Sequence, residues 1–493
     1  MFNTAKRVIA IVLSLVLVFA LAGCSKVTDD GSSYEIEYIT EEVYVSGDST
    51  TDGDNTQNNN QPTGPNVTSG TSKPTDTTEN SDSPILANPA DYKGTKIIFA
   101  TTIDPKDDGT DYVVSKFEKE YGIEVEIMVP TLTDYNAEMS NLIASGKAPT
   151  VGRSNGDAPI YVGYFQSLDA AKVNYKHELW NQNTFKRSTY NGSPYLLDTI
   201  GNFWTELDMV VYSKSLLKKA NCPTPEELDK AGNWNFDTFL MIGQKTAAAV
   251  ENCNGASYHV PDCILHMAGA AVYRVDDKNY LVNGIDAQTT SIIQKIAQGH
   301  KDKYIVSRGN GGGPEGLING TVAITTTYTW ALRTDGYLKD HKNYNDLGFY
   351  YLPAFEKGGE RPVTGLFRGW GIMKGCNENP ATGSKAAVAG GLFLSEYLNV
   401  NNYDLDKSFL TEEAKTFYFK MCALYAETNN YNPYYTYTDL NEGISGVDDD
   451  AAVYNMFYTD PAQVPTMMAA VKSSVQKGVE NLNKYIDQQM NSH

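Results

Sequence analysis

Lys96-Ile97-Ile98-Phe99-Ala100, followed by Asp111 to Tyr121 and then Ile123-Glu124-Val125-Glu126-Ile127-Met128-Val129, is the stretch from which the fold can be read. The first segment is a continuous apolar run and predicts a buried strand. The second places Val113, Val114 and Phe117 on one helical face, and the third alternates as a half-buried strand does. Strand, helix, strand is the unit of parallel sheets with right-handed crossovers, and ligands of such sheets collect beyond the carboxyl ends of the strands. A second helix is predicted from Asp134 to about Ala144, stopped by Ser145-Gly146-Lys147-Ala148-Pro149.

The alternation continues downstream. Asp208-Met209-Val210-Val211-Tyr212 predicts a strand, Lys214 to Ala220 a helix, and Asn235 caps a helix opened by Phe236-Asp237-Thr238-Phe239. Strands are expected at Val322-Ala323-Ile324 and from Leu347 to Pro353. Helices follow from Ser384 to Leu398, Glu412 to Glu427 and about Pro461 to Met490. The class is α/β, and 493 residues exceed what one hydrophobic core holds, so at least two cores are expected.

Upstream the chain changes character. Lys6 and Arg7 precede an apolar run from Val8 to Phe19, then Leu21-Ala22-Gly23-Cys24. The run is too short for a membrane span, which needs about 20 apolar residues, and fits an export signal. It resembles a bacterial lipoprotein signal. That resemblance implies a signal peptide over 1–23, a lipidated (palmitate-bearing) Cys24, and an extracytoplasmic protein anchored to the outer face of the cell membrane in the Gram-positive arrangement. The alternative is an ordinary secretory leader with a chance cysteine. From residue 24 to 90 the composition is that of a tether rich in Ser, Thr, Asn, Asp and Gly, interrupted at Tyr34 to Val45 by an alternating patch. Some sixty such residues reach on the order of 40 to 45 Å.

The formal net charge is −20, and removing Lys6 and Arg7 with the leader makes the mature chain more negative still. Such a surface repels phosphate backbones and anionic head groups, which argues against nucleic acid and against a basic membrane-docking face. Beyond Cys24 there are five cysteines, Cys222, Cys253, Cys263, Cys376 and Cys422, with no C-x-x-C spacing. Cys253 and Cys263 could close a short disulfide loop; buried free thiols are the alternative. Thirty-three tyrosines against six histidines suit recognition by rings and hydroxyls better than metal or proton chemistry.

Four further stretches carry a family resemblance: Phe117-Glu118-Lys119-Glu120-Tyr121-Gly122-Ile123-Glu124-Val125, Leu142 to Pro149, Val210-Val211-Tyr212-Ser213-Lys214, and Ile318-Asn319-Gly320-Thr321-Val322-Ala323-Ile324 with Trp330 close behind. In order and spacing they resemble the extracellular solute-binding proteins of bacterial ABC importers, family 1, the maltose and sugar-binding type, from about Thr95 to the C-terminus. Thr150-Val151-Gly152 departs from the usual Asp-Ile or Asp-Val after the Ser-Gly-x-x-Pro turn. The resemblance implies a two-lobed, type II periplasmic-binding-protein-like fold, with 91–203 and 353–398 in lobe I and 204–352 and 399–493 in lobe II. The chain would cross between lobes near Asn202 to Glu206, near Leu352 and near Leu398. It further implies a monomer without metal or cofactor, partnered by permease subunits of an importer and by a small solute, a carbohydrate. Closure signals only if the ligand favours the closed state over the open one.

A sugar offers apolar C–H faces and a rim of hydroxyls, so its site needs flat rings with carboxylates or amides. By resemblance Trp330 is the stacking ring; a core tryptophan after a strand is the alternative. Glu206 at the first crossing, flanked by Phe203 and Trp204, could accept hydroxyl protons, or could be a solvated charge. Asp104 and Asp157 lie in loops after lobe I strands, where cleft residues belong, or serve only as turn formers. Trp370 sits between glycines that admit a close ligand, though packing explains it equally. Tyr328 and Tyr458 complete the set, while Trp180 and Trp234 read as structural.

The rivals are a secreted lipoprotein glycoside hydrolase and a surface adhesin or scaffold. Carboxylates are plentiful in an acidic chain and say little without geometry. His177-Glu178-Leu179-Trp180-Asn181 falls one histidine short of a zinc-protease motif, no G-x-S-x-G occurs, and Gly309-Asn310-Gly311-Gly312-Gly313-Pro314 reads as a mobile loop rather than a phosphate cradle. The adhesin reading would use Tyr431, Tyr434, Tyr435 and Tyr437 as an exposed patch. Which solute, and of what size, is not written in these motifs.

Overall fold

The computed structural model describes residues 82–102, 110–131, 135–154, 159–199, 206–366, 368–399, 409–428, 431–434 and 449–491, all within one compact unit, Asp76–His493. Cys24, the Tyr34 to Val45 patch, Asp104, Asp157, Phe203, Trp204, Tyr435 and Tyr437 lie outside the described residues.

Lobe I opens with β1 (Lys96–Ala100), α1 (Thr110–Tyr121), β2 (Glu124–Met128), α2 (Tyr135–Ala144), β3 (Val151–Ser154) and β4 (Phe165–Gln166), then a short hairpin of β5 (Thr189–Tyr190) and β6 (Ser193–Pro194). The opening unit is the one its periodicity predicts: β1 and β2 run parallel from Lys96 opposite Glu124 to Ala100 opposite Met128. Ile97 and Phe99 are fully buried, while Glu124 and Glu126 face solvent. Ile85, ahead of β1, is also fully buried and bridges Val173, so the packed core includes a residue of the 24–90 stretch expected to be tether.

Lobe II holds β7 (Asp208–Ser213), α3 (Phe236–Ala249), β8 (Ala256–Tyr258), a hairpin of β9 (Tyr273–Val275) and β10 (Leu281–Asn283), α4 (Ala287–Lys301), β11 (Ile305–Ser307), α5 (Gly313–Ile318), β12 (Ile324–Tyr328) and β13 (Leu347–Tyr350). α3 begins as expected: the Asn235 side chain accepts from the Thr238 N–H, and the Thr238 hydroxyl accepts from the Asn235 N–H. The chain then passes β14 (Val363–Leu366), β15 (Gly369–Met373), α6 (Ala386–Asn399), α7 (Glu412–Glu427), β16 (Tyr431–Tyr434) and α8 (Val464–Asn491).

Two five-stranded mixed sheets result, β2-β1-β3-β15-β4 in lobe I and β11-β8-β12-β7-β13 in lobe II. β15 returns to lobe I antiparallel to β3. Just before it, Gly365 passes so close to the chain entering lobe II that a Cβ there would lie 2.3 Å from the Glu206 carbonyl oxygen. Only glycine allows this approach, and it brings the two interlobe segments together.

Three expectations need correction. The strand expected at Val322-Ala323-Ile324 is β12 itself, shifted to Ile324–Tyr328, because Thr325, Thr326 and Thr327 are β-branched and fully buried despite their hydroxyls. The glycine-rich stretch is an ordered turn leading into α5, with the Gly313 N–H donating to Ser257 Oγ at 2.9 Å. Cys253 and Cys263 form no disulfide; the five described cysteines are free and buried.

α8 packs on both lobes. Asn483 brackets Leu281 of lobe II, accepting from its N–H at 2.9 Å and donating to its carbonyl at 2.8 Å, while Lys374 of lobe I donates to the Gln489 carbonyl at 3.4 Å. Beside it, Asn279 of the β9–β10 turn donates to the Lys186 and Thr189 carbonyls of lobe I at 2.8 and 3.0 Å.

Candidate functional site

At one end of the lobe II sheet β8 and β12 finish and β7 starts, with Tyr328 opposite Asp208. This is the end next to the interlobe segments, and the side chains there form a wall of rings. Tyr328 meets His259 at 5.1 Å between centroids, His259 meets Tyr337 at 4.5 Å, and Trp330 stands edge-on to Tyr337 at 4.5 Å and 82°.

Local folding sets the exposure of Trp330. It sits in the 3-10 turn Thr329–Leu332, whose other members are anchored: Thr329 is 1% exposed and both its N–H and hydroxyl pair with the backbone of Leu207, at 2.9 and 3.2 Å. Ala331 and Leu332 are fully buried, so Trp330 is the member left partly exposed. Gly336 then lets the chain fold back, since a Cβ there would meet the Trp330 carbonyl oxygen at 2.2 Å. That return delivers Tyr337 to the indole.

Charge lies directly behind the rings. Arg308 covers the Tyr337 face at 4.7 Å, in cation–π contact, and donates to Glu315 at 3.0 and 2.6 Å. Its Nη1 lies 3.4 Å from His259 Nε2. Burial, and then the Arg308 charge, lower the His259 pKa to about 4, so the imidazole is neutral near pH 7. Glu206 pairs with Arg368 across the interlobe segments, their side chains 16% and 23% exposed. Arg153, at the end of β3 in lobe I, is 5% exposed; burial, then repulsion from Arg368, bring its pKa down to about 10. Both Glu206 and Arg368 act electrostatically on Tyr337. Deeper in, the Cys263 thiol donates to Asp208 at 2.8 Å, and burial raises Asp262 to about 6 while Tyr454 donates to it at 2.6 Å.

The structure thus groups Trp330, Tyr328 and Glu206 from the expected set and adds His259, Arg308, Glu315, Tyr337, Arg368 and Arg153. Trp370 lies elsewhere. It is 2% exposed on β15 in the lobe I core, against Phe99 and Tyr397 at 5.2 Å each, with no face open to a ligand. Tyr458 is 54% exposed but touches Tyr258 and His300, not the ring wall. Trp180 and Trp234, at 1% and 4% exposure, are packing residues. Tyr431 and Tyr434 belong to β16, which pairs in parallel with β14. Among the described residues no group of three or more His, Cys, Asp or Glu could hold a metal ion.

The partly exposed rings of Trp330 and Tyr337 beside fixed guanidinium and carboxylate groups can hold a molecule with apolar faces and a hydroxylated rim. Residues 113–386, more than half of the chain, match the family described as bacterial extracellular solute-binding protein. Several solved structures share the fold. An ABC substrate-binding protein of Listeria monocytogenes in complex with cycloalternan is 16% identical with a TM-score of 0.51, covering 80% of this chain and 99% of that one. The galacto-N-biose/lacto-N-biose I-binding protein of an ABC transporter from Bifidobacterium longum is 16% identical with a TM-score of 0.55, covering 79% and 97%. The cyclic alpha-maltosyl-1,6-maltose binding protein from Arthrobacter globiformis is 11% identical with a TM-score of 0.56, covering 78% and 99%. No curated protein matches the chain in sequence. The chain, built of two α/β lobes, belongs to the bacterial extracellular solute-binding proteins and is a binder of solutes rather than an enzyme.

Proposed function

We propose that the protein is the lipid-anchored substrate-binding component of an ABC importer, and that it captures a carbohydrate of oligosaccharide size between its lobes and hands it to membrane permeases. The observation that carries this reading is the partly exposed Trp330, held edge-on to Tyr337 beside the Arg308–Glu315 and Arg368–Glu206 pairs. An indole offered to solvent next to hydrogen-bonding charges at a lobe junction suits a sugar ring, which stacks by its C–H face and bonds by its rim. The three named structural relatives bind sugars by their own descriptions, which supports the same ligand class here. The leader ending in Cys24 supports the anchor.

The test is a thermal-shift screen over mono-, di- and oligosaccharides. A ligand at a hundred times its Kd adds about 2.7 kcal/mol by mass action and should be recovered intact. Cleavage of the ligand, or a flat response to the whole panel, overturns the carbohydrate reading. Separately, Cys24→Ser should move the protein from the membrane fraction to the medium, and unchanged membrane retention would remove the anchor.

A further inference from the structure

We infer that lobe II carries a second saccharide-binding site, outside the cleft, in a cavity of about 510 Å³ beside edge strand β11 and the C-terminal end of α4. The cavity falls within the 300 to 1,000 Å³ usual for small-molecule sites. Its lining includes Asn254, Lys301, Lys303, Asn310, Tyr458 and Asp460.

The strongest observation is Tyr458. It ends the short 3-10 turn Met456–Tyr458, in which Met456 and Phe457 are 1% and 0% exposed and anchor the backbone. Tyr458 remains 54% exposed yet is not loose: its ring lies 4.8 Å from the His300 ring and its hydroxyl 3.4 Å from the Tyr258 hydroxyl. An exposed aromatic ring fixed by its neighbours is a platform whose ordering cost has been met before any ligand arrives. His300, whose Nε2 lies 3.0 Å from the Tyr258 hydroxyl, completes the support behind it.

Around the platform stand groups suited to hydroxyls. Within the described residues neither the Asn254 side chain nor the Lys303 ammonium makes a hydrogen bond; Asn310 uses one amide hydrogen on Ser307, at 2.9 Å, and keeps its oxygen available. Lys301 and Asp460 form a loose pair at 3.5 Å, more than half exposed on both sides, which a ligand can open at small cost. Donors and acceptors thus surround one stacking ring. The two lysines against one carboxylate also favour a saccharide that carries a carboxyl group. Tyr258 and His259 are consecutive, and alternation along the chain sends the first toward this cavity and the second toward the ring wall. The two sites therefore lie on opposite sides of one strand end and can fill independently.

The test uses the whole secreted chain with three probes, maltotetraose, cellotetraose and trigalacturonate, by titration calorimetry and ligand-observed NMR. In a Trp330→Ala background, at least one probe at 10 mM should still show saturation transfer. Asn254→Ala with Lys303→Glu should abolish that signal, or weaken it at least tenfold, and Tyr458→Ala should do the same. With native Trp330, the Asn254→Ala and Lys303→Glu pair should retain any cleft binding; loss of cleft binding in that pair would overturn the independence of the two sites, whereas absence of cleft binding in the native protein tells against the proposed function and not against this site. No transfer from any probe in the Trp330→Ala background, or transfer indifferent to Asn254, Lys303 and Tyr458, overturns the inference.

Discussion

Two clusters of rings, one inside lobe I and one at the end of the lobe II sheet, are built from similar residues and behave differently. In lobe I, Phe99, Phe117, Trp370 and Phe393 are 0 to 2% exposed and meet one another and Tyr397 at 4.9 to 5.7 Å. In lobe II, Tyr328, Trp330 and Tyr337 are interleaved with His259 and Arg308; Tyr328 is buried at 7% exposure, while Trp330 and Tyr337 are partly exposed. The first cluster has rings on every side and the second has charge behind it. Aromatic density therefore says little without what surrounds the rings: Trp370 is packed at 2% exposure, and Trp330, the proposed stacking ring, is left partly exposed.

The sharpest way to break that contrast is to truncate both. Trp370→Ala leaves a void in a closed core and should cost about 3 to 5 kcal/mol of stability, seen in urea denaturation, with the affinity of the folded fraction unchanged. Next in size is the pair between the clusters: Glu206→Gln leaves Arg368 without its charged partner in a mostly dry place and should cost about 1.5 to 3 kcal/mol. An unchanged denaturation midpoint would mean that the pair is effectively solvent-screened. Trp330→Ala should do the reverse of Trp370→Ala. It should change stability by less than about 1 kcal/mol while weakening the best sugar at least tenfold, about 1.4 kcal/mol in binding. Equal stability losses for the two tryptophans would erase the distinction.

The smallest effect concerns protons. His259 and His300 have folded pKa values of about 4, below their ordinary 6.5, so on acidification the unfolded chain takes up protons first. Stability falls from about pH 6.5 toward 4. Asp262 works in the opposite sense: its folded pKa of about 6 exceeds the ordinary 3.8, so the folded state gains the proton first and recovers some stability from pH 6 downward. Melting temperatures from pH 7 to 4 should therefore decline less steeply in His259→Gln than in the native protein, and more steeply in Asp262→Asn. Parallel curves for all three would refute both burial-driven shifts.

The legible part of this fold was local. The β1–α1–β2 unit, the Asn235 cap and the helix over Glu412–Glu427 follow from periodicity and capping chemistry that sit within a few residues. β12 was misplaced because a scan for apolar residues passes over three threonines whose β-branching suits a strand. Most of the site was illegible for a different reason. His259, Arg308, Glu315, Tyr337 and Arg368 span more than a hundred positions and meet only through the order of strands in the sheet and the return of the chain at Gly365. One signal was available: the glycines after Arg308 form the turn into α5 that sets Glu315 against its guanidinium, and the same glycines had suggested a mobile loop. Trp370 misled because flanking glycines occur as readily in a tightly packed strand as beside a ligand.

The five free cysteines of the described residues carry a practical consequence. None is more than 8% exposed, and burial raises the thiols of Cys222 and Cys253 and pushes Cys376 up to about 12. Inaccessible and protonated, they should ignore a maleimide dye at neutral pH. With Cys24 replaced by serine, a cysteine engineered beside Trp330 would be the one reactive thiol among these positions, and if the proposed site holds it would turn the molecule into a reagentless optical sensor.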